Sequence, residues 1–195
     1  MAYSSIGATT YLCPVPVVLV GCAASDGQNN LITVAWTGIC CTKPPMLSIS
    51  IRPDRYSYHM IEETGEFTVN FVSQSMCRQT DFCGVRSGRE LDKFAATGLT
   101  AIPAEGLTLA PAVAQSPAYL SCLVSKKLEL GSHTMFLADI AYVNVDNQYF
   151  SDTGAIEEER MRLVAYAHGH YYPLGRPMGF FGSSVAGEKA LKRRK

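Results

Sequence analysis

The segment Arg52–Ser57 (RPDRYS) carries the residue types that best suit an anion. Arginine binds phosphate oxygens in pairs, and a serine hydroxyl adds one more donor. The segment stands between an apolar run and a stretch that favours a helix, where free N–H groups at the helix start also attract an anion. From these residues alone, an ordinary capped turn with solvated arginines is the simpler interpretation.

A second basic group follows in Ser87-Gly88-Arg89 and Asp92-Lys93-Phe94. A lysine beside an aromatic ring can close over a flat anionic ligand, with the ammonium as a point charge and the ring as a wall. Taken alone, the segment is more simply an amphipathic helix.

The stretch Asn29–Gly38 (NNLITVAWTG) ends close to the only tryptophan of the chain, Trp36. A flavin ring needs backbone donors and acceptors along one edge, and a strand end that contains glycine lets the backbone approach closely. The small or hydroxylic neighbours Thr33, Ala35, Thr37 and Gly38 suit that purpose. The alternative is that Trp36 simply anchors the core.

His168-Gly169-His170 is followed by Tyr171-Tyr172. On a strand, the two histidines would face the same side, so a metal ion is conceivable. No carboxylate or cysteine stands nearby in the sequence to complete such a site. We therefore favour structural or substrate-contacting histidines and predict no metal site.

Composition narrows the class of protein. Seventeen basic residues balance seventeen acidic ones, which argues against a nucleic acid or an anionic membrane as partner, and the basic tail Lys189–Lys195 is interpreted as a solvated end. The seven scattered cysteines predict reduced thiols and a cytoplasmic location rather than a disulfide scaffold. No GxGxxG, Walker A or GxSxG motif is present, so side chains and strand-loop amides must hold any phosphate.

The elements that would position these groups are mostly strands. Alternation and turn signals predict strands and a few short helices, and no linker divides the chain. We expect one domain over residues 1–195, a mostly β antiparallel barrel with peripheral helices and a loop-rich C-terminal extension. The expected strands are Val15–Ala24, Leu31–Trp36, Met46–Ile51, Phe67–Val72, Ala118–Leu130 and His133–Asn147, and the expected helices are Tyr56–Glu63, Gln74–Phe82 and Ile156–Arg162.

Six segments in order resemble the flavin reductase-like, FMN-binding split-barrel family, and in particular its flavoredoxin-type branch. They cover roughly residues 13–176 and end with Tyr172-Pro-Leu-Gly175. The earlier segments are PVPVVLVGC, NLITVAWTG, KPPMLSISIRPDRYSYHMI, TGEFTVNF and SGRELDKFAATGLT.

The resemblance implies an antiparallel FMN-binding split β-barrel and a homodimer, with FMN in a groove close to the subunit interface. It implies that Thr33, Ala35, Trp36, Thr37 and Gly38 line the ring and the ribityl chain. It assigns the phosphate to Arg52, Arg55, Ser57 and Lys93, and a polar contact near the flavin to Asn29. It places His168 and Tyr172 at the open face of the ring, where a nicotinamide or a partner would dock.

Three functions stay open on this basis. The first is an FMN-binding flavin reductase that takes electrons from NAD(P)H. The second is a flavoredoxin-like electron carrier that a redox protein reduces, without NAD(P)H activity. The third is a non-flavin binding module or a metalloprotein built on the two histidines.

Overall fold

The computed structural model describes residues 1–187, whose longer strands form one antiparallel sheet. The strands are β1 Val15–Pro16, β2 Val18–Ala23, β3 Asn29–Val34, β4 Thr37–Thr42, β5 Pro45–Ile51, β6 Glu66–Phe71, β7 Ala101–Pro103, β8 Pro111–Val113, β9 Ala118–Glu129, β10 Thr134–Val145, β11 Val164–Ala167 and β12 His170–Pro173. The helices are α1 Tyr56–Thr64, α2 Cys77–Val85 and α3 Lys93–Thr97. Single 3₁₀ turns occupy Gln74–Met76, Asn147–Tyr149, Glu158–Met161 and Ser183–Val185.

The sheet order is β3-β2-β6-β9-β10-β5-β4, with every neighbouring pair antiparallel. The strand β3 therefore lies at an edge. Small sheets β1-β11-β12 and β7-β8 complete the strands of the described residues. The longest pair, β9 and β10, turns through Gly131 at φ 90°, where Leu130 N–H donates to the His133 carbonyl at 2.8 Å. The prediction of a mostly β antiparallel fold is confirmed.

Two apolar clusters pack on opposite faces of the sheet. All of β2 is buried, because its alternate side chains supply both clusters. Val20 joins the cluster that contains Ile61 of α1, and Leu19 joins the cluster that contains Cys83 of α2 and Phe94 of α3. The helices are thus held against β2 and the neighbouring edge strand.

Local signals set the helix ends. The helix α1 ends at Gly65, whose φ of 70° suits glycine and whose N–H donates to the Ile61 carbonyl. The Asp92 carboxylate accepts from the N–H groups of Phe94 and Ala95, so it caps α3 and fixes Lys93 as the first helical residue.

Several elements differ from the expectation. The predicted strand Val15–Ala24 divides at Val17 into β1 and β2, which join different sheets. The strand β4 was not predicted, because it is largely exposed and lacks clear alternation. The predicted helix Ile156–Arg162 is only a 3₁₀ turn at Glu158–Met161, since Ile156 pairs with Phe150 in an isolated bridge.

The remaining expectations have mixed outcomes. All seven cysteines are unpaired, and the cytoplasmic location that they suggested stays a prediction. No helix within residues 1–187 is long and apolar enough to cross a membrane. The single domain over residues 1–195 also stays a prediction, and the basic tail Lys189–Lys195 lies outside the described residues.

Candidate functional site

Three adjoining cavities follow the edge strand β3. We name them the cationic cavity, of about 290 Å³, the middle cavity, of about 440 Å³, and the apolar chamber, of about 670 Å³. Ile32, Arg55 and Gly84 line both the cationic and the middle cavity. Ala35 and Trp36 are among the residues that line both the middle cavity and the apolar chamber, so the three form one continuous groove.

The cationic cavity concentrates positive charge in a chain whose formal net charge is zero. Four basic side chains line it against two carboxylates, those of Asp54 and Glu90. The basic residues are Arg55, Arg86, Arg89 and Lys93. A pocket with this balance favours a small anion such as a phosphate.

Lys93 is the deepest of these cations. Its side chain is buried, and Nζ donates to the carbonyls of Leu31 in β3 and Cys83 in α2, at 2.7 Å each. Burial lowers the pKa of this ammonium, and the nearby Arg55 cation lowers it further. An ammonium has three donors, so one N–H remains for a ligand.

The helix start forms a second side of the cationic cavity. Ser57, in the first turn of α1, is buried, and its Oγ accepts from Asn30 Nδ2 at 2.9 Å. The serine keeps its own O–H to donate. Within the described part of the chain, no side chain caps the start of α1, so the predicted capped turn is wrong and the helix end stays available to an anion.

Gly88 lines the cationic cavity, and its backbone lies close to the Asn30 side chain. A Cβ on Gly88 would lie 2.3 Å from Asn30 Oδ1, so only glycine fits there without displacement. Arg89 at the rim lies over the Tyr56 ring at 5.4 Å and donates to the Asp54 carbonyl at 3.1 Å.

Two arginines line the middle cavity and differ in their partners. Within residues 1–187, the Arg55 guanidinium has no hydrogen-bond or ion-pair partner, which leaves its fork open to a ligand. Arg52 lies 3.4 Å from the Asp54 carboxylate and lines the middle cavity only.

Polar groups and rings line the middle cavity. The Thr33 hydroxyl donates to the Thr80 carbonyl, and a Cβ added at Gly84 would lie 3.3 Å from the Thr33 side chain. Trp36 stacks with His133 at 6.2 Å between centroids and 8° between planes. Tyr171 Oη donates to Asp81 at 3.3 Å, and burial together with this carboxylate raises the pKa of the tyrosine.

The apolar chamber has a different chemistry. None of the residues within 1–187 that line it is a lysine, arginine, aspartate or glutamate. Trp36 forms one aromatic boundary, and Tyr11 stacked on His168 at 4.0 Å forms another. The Thr37 hydroxyl donates to the Ser48 carbonyl at 2.8 Å, so this strand end is held to β5.

Ten of the twelve residues singled out from the sequence line the groove. They are Thr33, Ala35, Trp36, Thr37, Gly38, Arg52, Arg55, Ser57, Lys93 and His168. Asn29 and Tyr172 line none of the three cavities and are exposed. Their sequence neighbours Asn30 and Tyr171 take those positions, since successive side chains of a strand face opposite sides.

The paired histidines do not share a strand face. His168 has a positive φ of 41° and lies in the turn between β11 and β12, whereas His170 begins β12. Within residues 1–187, no group of three or more histidine, cysteine or acidic residues could hold a metal ion. Trp36 is not a core anchor, because 49% of it is exposed.

Sequence reasoning missed several groove residues. Asp81 and Arg86 come from α2 and the residue that follows it, and His133 comes from the β9–β10 turn. No local motif marks them, because tertiary packing alone brings them to β3. Gly88 had a signal, since a glycine between Ser87 and Arg89 allows close backbone approach.

The groove fits an extended ligand with an anionic end and a flat ring. The part of β3 from Asn30 to Val34 alone is four residue steps, or roughly 13 Å of extended chain. The unpartnered Arg55, the uncapped start of α1 and the Gly88 cradle suit a terminal phosphate. Fold and groove together define an antiparallel split-barrel protein with an open groove along one sheet edge.

The chain belongs to the flavin reductase like domain family, which it matches over residues 10–175. It is similar to the structure of flavoredoxin from Desulfovibrio vulgaris (Miyazaki F), with a TM-score of 0.88 and 34% identity, covering 95% of this chain and 100% of the other. Flavoredoxin from Methanosarcina acetivorans gives a TM-score of 0.83 and 27% identity, covering 95% and 99%.

A curated relative adds an enzyme component to the comparison. The reductase component of a 4-nitrophenol 4-monooxygenase/4-nitrocatechol 2-monooxygenase of Rhodococcus opacus is 26% identical over 123 residues. This match covers 63% of the chain and 62% of the relative.

Proposed function

We propose that this protein binds FMN non-covalently in the groove along β3 and transfers electrons from NAD(P)H to or through it. The observation that carries the proposal is the order of chemistry along one stretch of chain, from β3 into the start of β4. A cationic cavity, a polar middle and a charge-free aromatic chamber follow each other from Asn30 to Gly38. A mononucleotide that joins a phosphate, a sugar alcohol and a flat ring needs these three environments in this order.

In this proposal, Arg55, Ser57 and Lys93 hold the phosphate. Arg55 supplies an unpartnered fork, Ser57 a hydroxyl at the helix start, and Lys93 a buried ammonium with one free donor. Arg52 acts from the next cavity along, where its contact with Asp54 orients it.

The strand end from Ala35 to Gly38 orients the ring. Its backbone borders the groove, and the hydrogen bond from Thr37 to β5 keeps it in place. Bound FMN supplies two-electron and one-electron chemistry, while the protein controls orientation and access. Trp36 and the stacked Tyr11–His168 pair would border the ring as aromatic walls.

The proposal extends to a homodimer and to reduction by NAD(P)H. The outer strand β4 carries Ile39, which is 69% exposed beside the apolar chamber, and a second copy would cover it. The Rhodococcus relative is by name a reductase component, which supports an enzymatic role.

Loss of the phosphate donors tests the site. Arg55→Ala with Ser57→Ala removes two charge-assisted contacts, each worth about 1.5–3 kcal/mol, so FMN affinity should fall by at least about a hundredfold. Arg78→Ala is the matched control, because Arg78 is exposed on α2 and lines none of the cavities. Unchanged affinity in the double variant would place the phosphate elsewhere.

A second candidate is an electron carrier that a redox protein reduces, which the likeness to two flavoredoxins favours. Stopped-flow mixing of the FMN-loaded protein with NADH or NADPH separates the two functions. Bleaching of the flavin on a catalytic timescale supports the reductase. Its absence, with reduction by dithionite intact, supports the carrier.

A further inference from the structure

The apolar chamber differs from the rest of the groove because none of the described residues that line it is a lysine, an arginine or an acidic residue. Its boundaries are Trp36, the Tyr11–His168 pair, and apolar side chains such as Ile39 and Met135. The basic side chains of the groove line the middle and cationic cavities and not this chamber. A ligand with a phosphate, sulfonate or carboxylate in this chamber would lose its hydration without gaining an ion-pair partner.

The volume of the chamber exceeds what the proposed cofactor ring alone requires. The chamber measures about 670 Å³, within the range of whole small-molecule sites. The middle cavity, which shares Ala35, Trp36 and Tyr166 with it, offers further room for the same ring. Space for a second flat molecule therefore lies between Trp36 and the opposite aromatic wall.

The N-terminal segment builds that opposite wall. Residues 9–12 line the chamber although they belong to no helix or strand. Tyr11 is held by its stack on His168, whose left-handed backbone conformation turns the chain between β11 and β12. The segment contributes an aromatic face and the exposed Leu12, and brings no charge.

We propose that the apolar chamber is a subsite for a neutral, flat aromatic or quinone-type molecule, which serves as the electron acceptor. The acceptor role rests on the proposed function. A quinone takes up two electrons and two protons and becomes its quinol, and fully reduced flavin supplies both and returns to the oxidised state. The lining of the chamber selects uncharged acceptors over anionic ones of the same ring.

Binding to the cofactor-free protein tests the subsite independently of FMN. Trp36 is the only tryptophan, so its emission reports the chamber directly. Titration with 2-methyl-1,4-naphthoquinone should quench it in a saturable way, confirmed by calorimetry. The probe 1,4-naphthoquinone-2-sulfonate should bind at least about tenfold more weakly, because its charge finds no partner.

Three variants test whether Tyr11 and Leu12 contact the ligand or only support the fold. Tyr11→Ala should weaken the neutral quinone by roughly three- to tenfold through loss of an aromatic contact. Tyr3→Ala makes the same change at an exposed tyrosine that lines none of the three cavities, and should leave binding unchanged. Leu12→Lys should narrow the gap between the neutral and sulfonated probes, an effect that a merely structural role would not produce.

Repeating the calorimetry on FMN-loaded protein completes the test. Quinone binding that persists beside FMN supports a separate subsite, and binding that FMN abolishes overturns it. Equal affinity for the neutral and sulfonated probes, or no saturable binding, also overturns the proposal. A protein that binds the quinone but never FMN would refute the proposed function and leave the subsite standing.

Discussion

Replacing Gly88 with alanine tests the cationic cavity by adding a methyl group to it without removing any polar group. Gly88 has no positive φ, so alanine brings no backbone strain. The added Cβ would lie 2.3 Å from Asn30 Oδ1 and 2.9 Å from Tyr56 Cδ1. Both contacts are too short, so the Asn30 side chain must move by about 1 Å.

The magnitude follows from what holds Asn30. This side chain is buried, and its Nδ2 donates to Ser57 at 2.9 Å, so a shift breaks that hydrogen bond at a cost of about 0.5–1.5 kcal/mol. Overpacking adds about 1–3 kcal/mol. We expect Gly88→Ala to lower the free energy of unfolding by about 2–4 kcal/mol. We also expect FMN affinity to fall at least about tenfold, because the cavity shrinks and Ser57 loses its partner.

Two measurements check this prediction. Urea unfolding gives the loss of stability, and fluorescence titration gives the FMN affinity. The matched control is Gly175→Ala, since no atom lies within 4 Å of a Cβ at Gly175. If Gly88→Ala lowers stability but leaves FMN affinity within about twofold, the phosphate does not lie in this cavity. If neither quantity changes, the close approach of Gly88 to Asn30 is wrong.

Two other predictions concern buried charges. The Glu66 carboxylate accepts hydrogen bonds from the three consecutive backbone N–H groups of residues 108–110, and it lines none of the groove cavities. We therefore expect Glu66→Gln to lower the free energy of unfolding, measured in urea, by about 2–4 kcal/mol and to leave FMN affinity unchanged. A variant as stable as the parent protein would refute the role of this contact. The pKa of Lys93 in the folded state is lowered from its ordinary value of 10.5. In the pH window below 10.5 the unfolded state therefore binds more protons than the folded state, so the contribution of Lys93 to stability should rise with pH there. FMN affinity should fall across the same window as the ammonium loses its proton, and Lys93→Met should remove both dependences in urea and fluorescence titrations of the two proteins.

Two of the residues that the resemblance assigned to the site, Asn29 and Tyr172, lie outside the groove in the structure. Asn29 was expected near the flavin, yet it is the first residue of β3, opposite Ala23, and is exposed. The loop hydrogen bond from Ala24 N–H to the Gln28 carbonyl fixes where β3 begins and hence which residues face inward. In the same way Tyr171, and not Tyr172, lines the middle cavity, and two adjacent tyrosines give no alternation that would tell them apart in the sequence.

The two basic segments show why the cationic cavity could not be derived from either segment alone. Arg52–Ser57 was best explained as a capped turn and the Lys93 segment as an amphipathic helix, and each interpretation was reasonable in isolation. The fold sets the start of α1 and the start of α3 against the same edge strand, where Lys93 Nζ binds the Leu31 carbonyl of β3 and the Cys83 carbonyl of α2. Solvated cations repel one another, so in a chain of zero net charge they would be expected to lie apart. A buried lysine held beside an unpartnered arginine is instead a cost that a bound anion offsets, so the placement itself argues for a phosphate ligand.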